Sequence, residues 1–162
     1  MTDNRPSLDE WGLGIARAAA VRGECTRRQI GAVIVDFKRR QTWLAYNGGV
    51  PGEPSCLDGA CPRGRHYLIP RSQRLDASTA AQCRCGHPWP CPDAVASESS
   101  YDTGPGACTG THAELGALMA AGRANLDDEC VMYVSDKPCP ACERIIRGCL
   151  KRVVWPDGEL RF

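Results

Sequence analysis

The chain has 162 residues, 43% of them hydrophobic and 24% charged, with 20 Lys and Arg against 19 Asp and Glu for a formal net charge of +1. That length buries one core and little more, so a single domain over 1–162 is expected, and so even a charge balance disfavours a nucleic-acid partner. No apolar run approaches the ~20 residues of a membrane span, and the polar start Met1–Pro6 lacks a signal-peptide core, so no membrane partner and a cytoplasmic location are expected.

In chain order, Leu8–Val21 carries Leu8, Trp11, Leu13, Ile15, Ala18 and Ala19 at helical spacing, with Ser7 as N-cap and Gly23 near the end. Ile30–Asp36 and Gln41–Asn47 read as two strands joined through the basic turn Phe37–Arg40, a hairpin. The unbroken apolar run of the first strand predicts burial on both faces, and so helices on both sides of a sheet. The next stretch, 52–106, is rich in Gly, Pro, Ser and Cys and too long for an ordinary loop without a staple. Eleven cysteines, an odd number in a chain without an export signal, favour metal ligands and buried thiols over disulfides. Zinc is the natural staple, with Cys61, Cys83, Cys85 and Cys91 as the leading set. His87 or Cys108 are alternatives to Cys61, and Cys25, Cys56 and Cys108 are candidates for a separate site.

Thr111–Ala121 is built of strong helix formers, with Leu115, Leu118 and Met119 on one face, and predicts a helix beginning near His112. Cys130–Ser135 is β-branched and aromatic and ends at Asp136-Lys137-Pro138, a buried strand stopped by a turn. A second helix runs from Cys139 through Cys149, so that Cys139 and Cys142 share one side of its first turn. His112, Cys139 and Cys142 thus supply three zinc ligands and leave the fourth position open for water, where a closed structural site would need a fourth ligand. Glu114, two residues past His112, stands ready to carry protons. Lys151–Trp155 reads as a further strand. Only seven residues follow it, which leaves room for an abbreviated last strand and an uncovered edge, so a homo-oligomer is expected.

These motifs, His112-Ala113-Glu114 with Pro138-Cys139-Pro140-Ala141-Cys142, match the signature of zinc-dependent nucleobase deaminases. Arg28–Val35 with Tyr46–Gly52, and Cys108–Glu114 with Tyr133–Cys139, resemble the deoxycytidylate (dCMP) deaminase family of the cytidine deaminase superfamily. The resemblance spans Leu8–Gly52 and Gly104–Trp155. It implies an α/β fold, a three-layer α-β-α arrangement with a mixed, roughly five-stranded sheet, here carrying a Cys-rich zinc-stapled insertion. It implies a catalytic zinc on His112, Cys139 and Cys142, Glu114 as proton shuttle, and a second, structural zinc near the Tyr-Asn-Gly loop. Asn47 resembles the residue that bonds the sugar hydroxyl, its alternative being a turn-forming Asn-Gly. Arg27, Arg28, Ser135 and Lys137 are candidates for the substrate phosphate, and Ala32 and Tyr133 for the wall of the base pocket or for plain core.

The implied reaction is hydrolytic deamination of dCMP, or a 5-modified relative, to the uracil form and ammonia. A nucleoside, another nucleobase or a nucleic-acid base is the nearest alternative. For a nucleic-acid base, few aromatics beyond Trp89 and Tyr101 are placed to stack. A zinc-organised binding module without catalysis is the alternative of another class. The resemblance also implies regulation by pyrimidine triphosphates at the Tyr-Asn-Gly loop.

Overall fold

The computed structural model describes residues 4–66, 83, 85–88, 90–94, 108 and 110–162; Trp89 and Tyr101 lie outside them. The chain divides into two compact units, one of 1–24, 28–48 and 111–162, the other of 25–27 and 49–110. The second unit takes in the whole of the Cys-rich stretch.

The first unit opens with helix α1 (Leu8–Ala20), which starts where Ser7 and Glu10 satisfy each other in a capping box. The Ser7 N–H donates to the Glu10 carboxylate at 2.7 Å, and the Glu10 N–H donates back to Ser7 Oγ at 3.2 Å. Of the expected apolar stripe α1 buries Ala19 and packs Leu13 and Ile15 against the core, but Leu8 and Trp11 are exposed, and Gly12 and Ala16 face inward in their place. Small residues win because the helix lies almost on the backbone of the sheet: a Cβ on Gly31 would sit 2.1 Å from the Ala16 carbonyl oxygen.

Strands β1 (Gly31–Asp36) and β2 (Gln41–Tyr46) form the expected hairpin. All six residues of β1 are buried, as a strand covered on both faces must be. After the second unit come α3 (Ala113–Ala121), a 3₁₀ turn (Arg123–Asn125), β3 (Cys130–Val134), α4 (Pro140–Arg147), β4 (Arg152–Trp155) and β5 (Gly158–Arg161). The second unit's only helix among the described residues is α2 (Pro62–Arg65). The sheet order is β2-β1-β3-β4-β5. β3 runs parallel to β4, with α4 as the crossover, and every other neighbouring pair is antiparallel. The chain end folds straight back as β5, a four-residue strand on β4.

Period-two alternation sorts the sheet side chains into two cores. Ala32, Ile34, Met132, Val134 and Val153 pack with Ala113, Ala117 and Leu118 of α3 and Cys142 and Ile146 of α4. Val33, Val35, Tyr133 and Val154 pack with Ala16 of α1 on the other face. The unit is therefore a three-layer sandwich around a mixed five-stranded sheet. No helix among the described residues is long and apolar enough to cross a membrane.

Candidate functional site

Two helix starts carry the site. His112 is the N-cap of α3 in an extended conformation, and its ring makes no capping bond. It is turned instead to the sulfurs: His112 Nδ1 lies 3.5 Å from Cys139 Sγ and 3.3 Å from Cys142 Sγ. Cys139 is the N-cap of α4, with Pro140 at the first helical position, and its sulfur accepts the Cys142 N–H at 3.5 Å. Both N-termini lend partial positive charge to the same spot, which favours thiolates and an attacking oxygen there.

The donor set fits zinc. Zn–S of about 2.3 Å and Zn–N of about 2.0–2.1 Å at tetrahedral angles put sulfur and nitrogen about 3.5–3.6 Å apart, close to the spacings found. Among the described residues no fourth His, Cys, Asp or Glu joins this group, so the protein would supply three of a zinc ion's four ligands. Glu114, on the first turn of α3, is buried. Burial pushes the Cys142 thiol well above the ordinary thiol range, and the Glu114 and Cys139 charges push it further. A cation bound there would stabilise the Cys142 thiolate.

The other residues singled out from sequence divide cleanly. Ala32 is fully buried in the core that holds Ala113 and Cys142. Asn47 holds the chain before β1: its Oδ1 accepts the Ile30 N–H at 2.8 Å and its Nδ2 donates to the Arg28 carbonyl at 2.7 Å. The next residue, Gly48, pairs with Thr111 through two backbone bonds of 3.2 and 2.7 Å, which sets Asn47 beside the strand leading into His112. Ser135 Oγ accepts the Gly31 N–H at 3.0 Å just past β3. The exposed Arg28 guanidinium is held by Asp136 at 2.5 Å, a partner that sequence reasoning missed because the two are joined only by the fold. Lys137 reaches over the Trp155 ring.

Tyr133 is a correction. Of its two expected places, the wall of the base pocket and plain core, it takes the second: alternation along β3 sends it to the α1 face, opposite the side that Met132 and Val134 share with Cys142. Its hydroxyl donates to Asp9 at 2.9 Å, and Asp9 is clasped by Arg152 at 2.9 and 2.6 Å. The Arg152 hydrogen bonds hold the Asp9 carboxyl below its ordinary value, while burial raises the tyrosine's.

The second ligand set is also corrected. None of the eleven cysteines is in a disulfide. Cys83, Cys85 and Cys91 come together as expected, but their companion is His66, with all four ligand atoms within 4.8 Å of one another. Cys61 belongs elsewhere. Hydrogen bonding to Cys25, then burial and Cys61, push the Cys56 thiol far up, and burial with Cys61 and Cys25 nearby does the same at Cys108. Cys56 and Cys108 thus each lie near both Cys25 and Cys61. His66 was legible only as one of three histidines in the chain, since no spacing ties it to Cys83.

A helix-capped His-Cys-Cys set with a buried glutamate, on a mixed sheet between helical layers, defines a zinc-dependent hydrolytic deaminase as a class. Residues 6–156 match the family described as the cytidine and deoxycytidylate deaminase zinc-binding region, and the chain belongs to that family. It is 35% identical over 154 residues to the deoxycytidylate deaminase of Mycobacterium phage D29, covering 94% of this chain and 97% of that one. It is 29% identical over 152 residues to the deoxycytidylate deaminase of Schizosaccharomyces pombe, covering 93% of this chain but 37% of the yeast protein. The crystal structure of dCMP deaminase from the cyanophage S-TIM5 in apo form shares the fold, with a TM-score of 0.51, 16% identity, and coverage of 93% of this chain and 83% of that one.

Proposed function

We propose that the chain deaminates dCMP to dUMP and ammonia, with Glu114 as the proton carrier. The observation that carries this is the buried Glu114 carboxylate beside a three-ligand set with one position open. The D29 relative, matched over nearly its whole length, supports the nucleotide. His112, Cys139 and Cys142 would hold the zinc, which would supply Lewis acidity that makes water nucleophilic near neutral pH. Glu114 takes a proton from the attacking water and delivers it to N3 as C4 becomes tetrahedral, then carries the proton of the new C4 hydroxyl to the amino group, which departs as ammonia. Burial keeps its carboxylate clear of bulk water, so the proton passes to the substrate.

Ala32, fully buried and without bulk, leaves room for the flat ring. Asn47 keeps one amide hydrogen and one lone pair beyond its backbone bonds, enough to meet a sugar hydroxyl. Arg28 and Ser135 stand at the ends of β1 and β3 as cation and hydroxyl for the phosphate. A homo-oligomer is supported by the exposed edge strand β2, whose outward Leu44 calls for a cover. Eleven cysteines with no disulfide among them suit a reducing cytoplasm.

The test is ultraviolet-monitored turnover of dCMP, CMP, deoxycytidine and cytosine by the zinc-loaded chain. Turnover confined to dCMP, and lost in Glu114→Ala with zinc retained, is the expected result. A Glu114→Ala variant as active as the parent would remove the proposed mechanism, and a preference for deoxycytidine would remove the phosphate.

A further inference from the structure

We propose that His66, Cys83, Cys85 and Cys91 form a closed structural zinc site of their own, separate from both the catalytic set and the Cys25, Cys56, Cys61 and Cys108 thiols. This inference does not depend on which nucleotide the catalytic site takes.

Four observations converge on it. The first is completeness: one imidazole and three thiols are a full tetrahedral set, where the catalytic group has three donors and an open position. The second is spacing. Cys85 Sγ lies 3.7 Å from Cys91 Sγ, and Cys91 Sγ lies 3.7 Å from His66 Nδ1. A zinc tetrahedron requires about 3.7–3.8 Å between sulfurs and about 3.5–3.6 Å between sulfur and nitrogen. These two spacings are close to the zinc values, and all four donor atoms lie within 4.8 Å of one another.

The third is the scaffold. The Cys83 N–H donates to the His87 carbonyl at 2.8 Å, and the Gly86 N–H donates to the Cys83 carbonyl at 2.9 Å. This tight turn is made possible by Gly86 at φ +93, and it presents Cys83 and Cys85 from one short loop. Cys83 Sγ is 3.7 Å from the Arg65 carbonyl, at the end of α2 and one residue before His66, so the turn and the histidine are set against each other by backbone.

The fourth is what is buried. Among the unit's described residues the buried hydrophobic side chains are Cys56, Cys61, Cys83 and Cys91. None of these cysteines is in a disulfide, and buried thiols gathered outside disulfides are the donors through which a metal holds a segment in shape. Competing ligands are accounted for. Cys61 is engaged with Cys56 and Cys108. His87 places Nδ1 at 3.4 Å from Cys85 Sγ but is exposed and groups with Cys91 and Asp93, without Cys83.

The experiment counts zinc per chain by mass spectrometry on the full-length protein, after dialysis against a chelator that leaves wild-type zinc in place. The wild-type count is the reference, and it includes one ion at the catalytic set and one at this site. His66→Ala and Cys83→Ser each lose one ion, and His87→Ala loses none. A zinc count unchanged from wild type in both His66→Ala and Cys83→Ser overturns the proposal, and so does loss of an ion in His87→Ala with none lost in His66→Ala. Should His66→Ala prove insoluble, His66→Cys decides. It keeps the wild-type count, and its cobalt-loaded form gains sulfur-to-cobalt charge-transfer absorption because a thiolate replaces the imidazole. A cobalt spectrum identical to wild type removes His66 as a ligand. Deamination measured alongside keeps the two readings apart: inactivity toward dCMP with these zinc counts intact bears on the catalytic proposal alone.

Discussion

Two glycines of α1, two residues apart, give opposite outcomes for the same substitution. At Gly14 a Cβ would meet nothing within 4 Å, so Gly14→Ala gains the helix propensity of alanine, about 1 kcal/mol. At Gly12 the new Cβ would sit 2.4 Å from Cδ2 of Tyr133 and 2.6 Å from Cγ and Cε2. Ordinary carbon contact is about 3.5–4.0 Å, so ring and helix must part by more than about 1 Å. The ring has nowhere to go: it is fully buried, its hydroxyl is bound to Asp9 at 2.9 Å, and its edge meets Phe37 with centroids 6.5 Å apart. Overpacking of this kind costs about 1–3 kcal/mol, and so severe a clash belongs at the upper end. Both variants share the propensity gain, so they differ by about 3 kcal/mol, or about 6–12 °C in Tm for a chain of this size. Thermal unfolding followed by circular dichroism in excess zinc reads the difference. A Gly12→Ala midpoint raised as far as that of Gly14→Ala would refute the placement of α1 on the sheet, and with it the assignment of Tyr133 to that face.

Tyr133→Phe removes a hydrogen bond to a partly exposed carboxylate, so it lowers stability by about 1–1.5 kcal/mol in urea titrations and leaves the KM for nucleotide unchanged; a raised KM would return Tyr133 to the pocket. The Asp9 carboxyl, held down first by its Arg152 hydrogen bonds, contributes stability that is present above the unfolded value near about pH 4 and lost as pH falls through the lower folded value. Asp9→Asn therefore flattens the acid limb of stability against pH below about pH 4, and an unchanged limb counts against the Asp9–Arg152 pair. Glu114→Gln keeps the zinc bound and lowers kcat by about 10²–10⁴, as loss of general acid–base transfer does; parallel loss of zinc in metal analysis would make the residue structural instead. Arg28→Ala raises the KM for dCMP and leaves that for deoxycytidine unaltered, and equal effects on both would take Arg28 out of phosphate binding.

What the sequence made legible and what it concealed follow from one physical difference. His112, Glu114, Cys139 and Cys142 were readable because each belongs to a helix start whose local signals, a cap, a proline at the first position and a run of helix formers, fix the side chain by short-range rules. The strands of the sheet were readable for the same reason, from apolar runs bounded by turns. Tyr133 was misassigned because the face a strand residue takes depends on its neighbours' register, and in a strand buried on both sides no polar alternation marks the inward set. Leu8 and Trp11 failed as core because α1 approaches the sheet through Gly12 and Gly31, an exchange of bulk for proximity that hydrophobicity alone does not register. In the 49–110 unit the binding partners are thiols and imidazoles with no periodicity, so composition pointed to a metal staple while pairing was decided by distance in space, and His66 displaced Cys61. The bridge of Gly48 to Thr111 joins the two ends of that segment by backbone bonds one residue before His112, and His112, Glu114, Cys139 and Cys142 all lie after it, within the first unit. Metal lost from the second unit should therefore weaken folding before it moves a catalytic ligand.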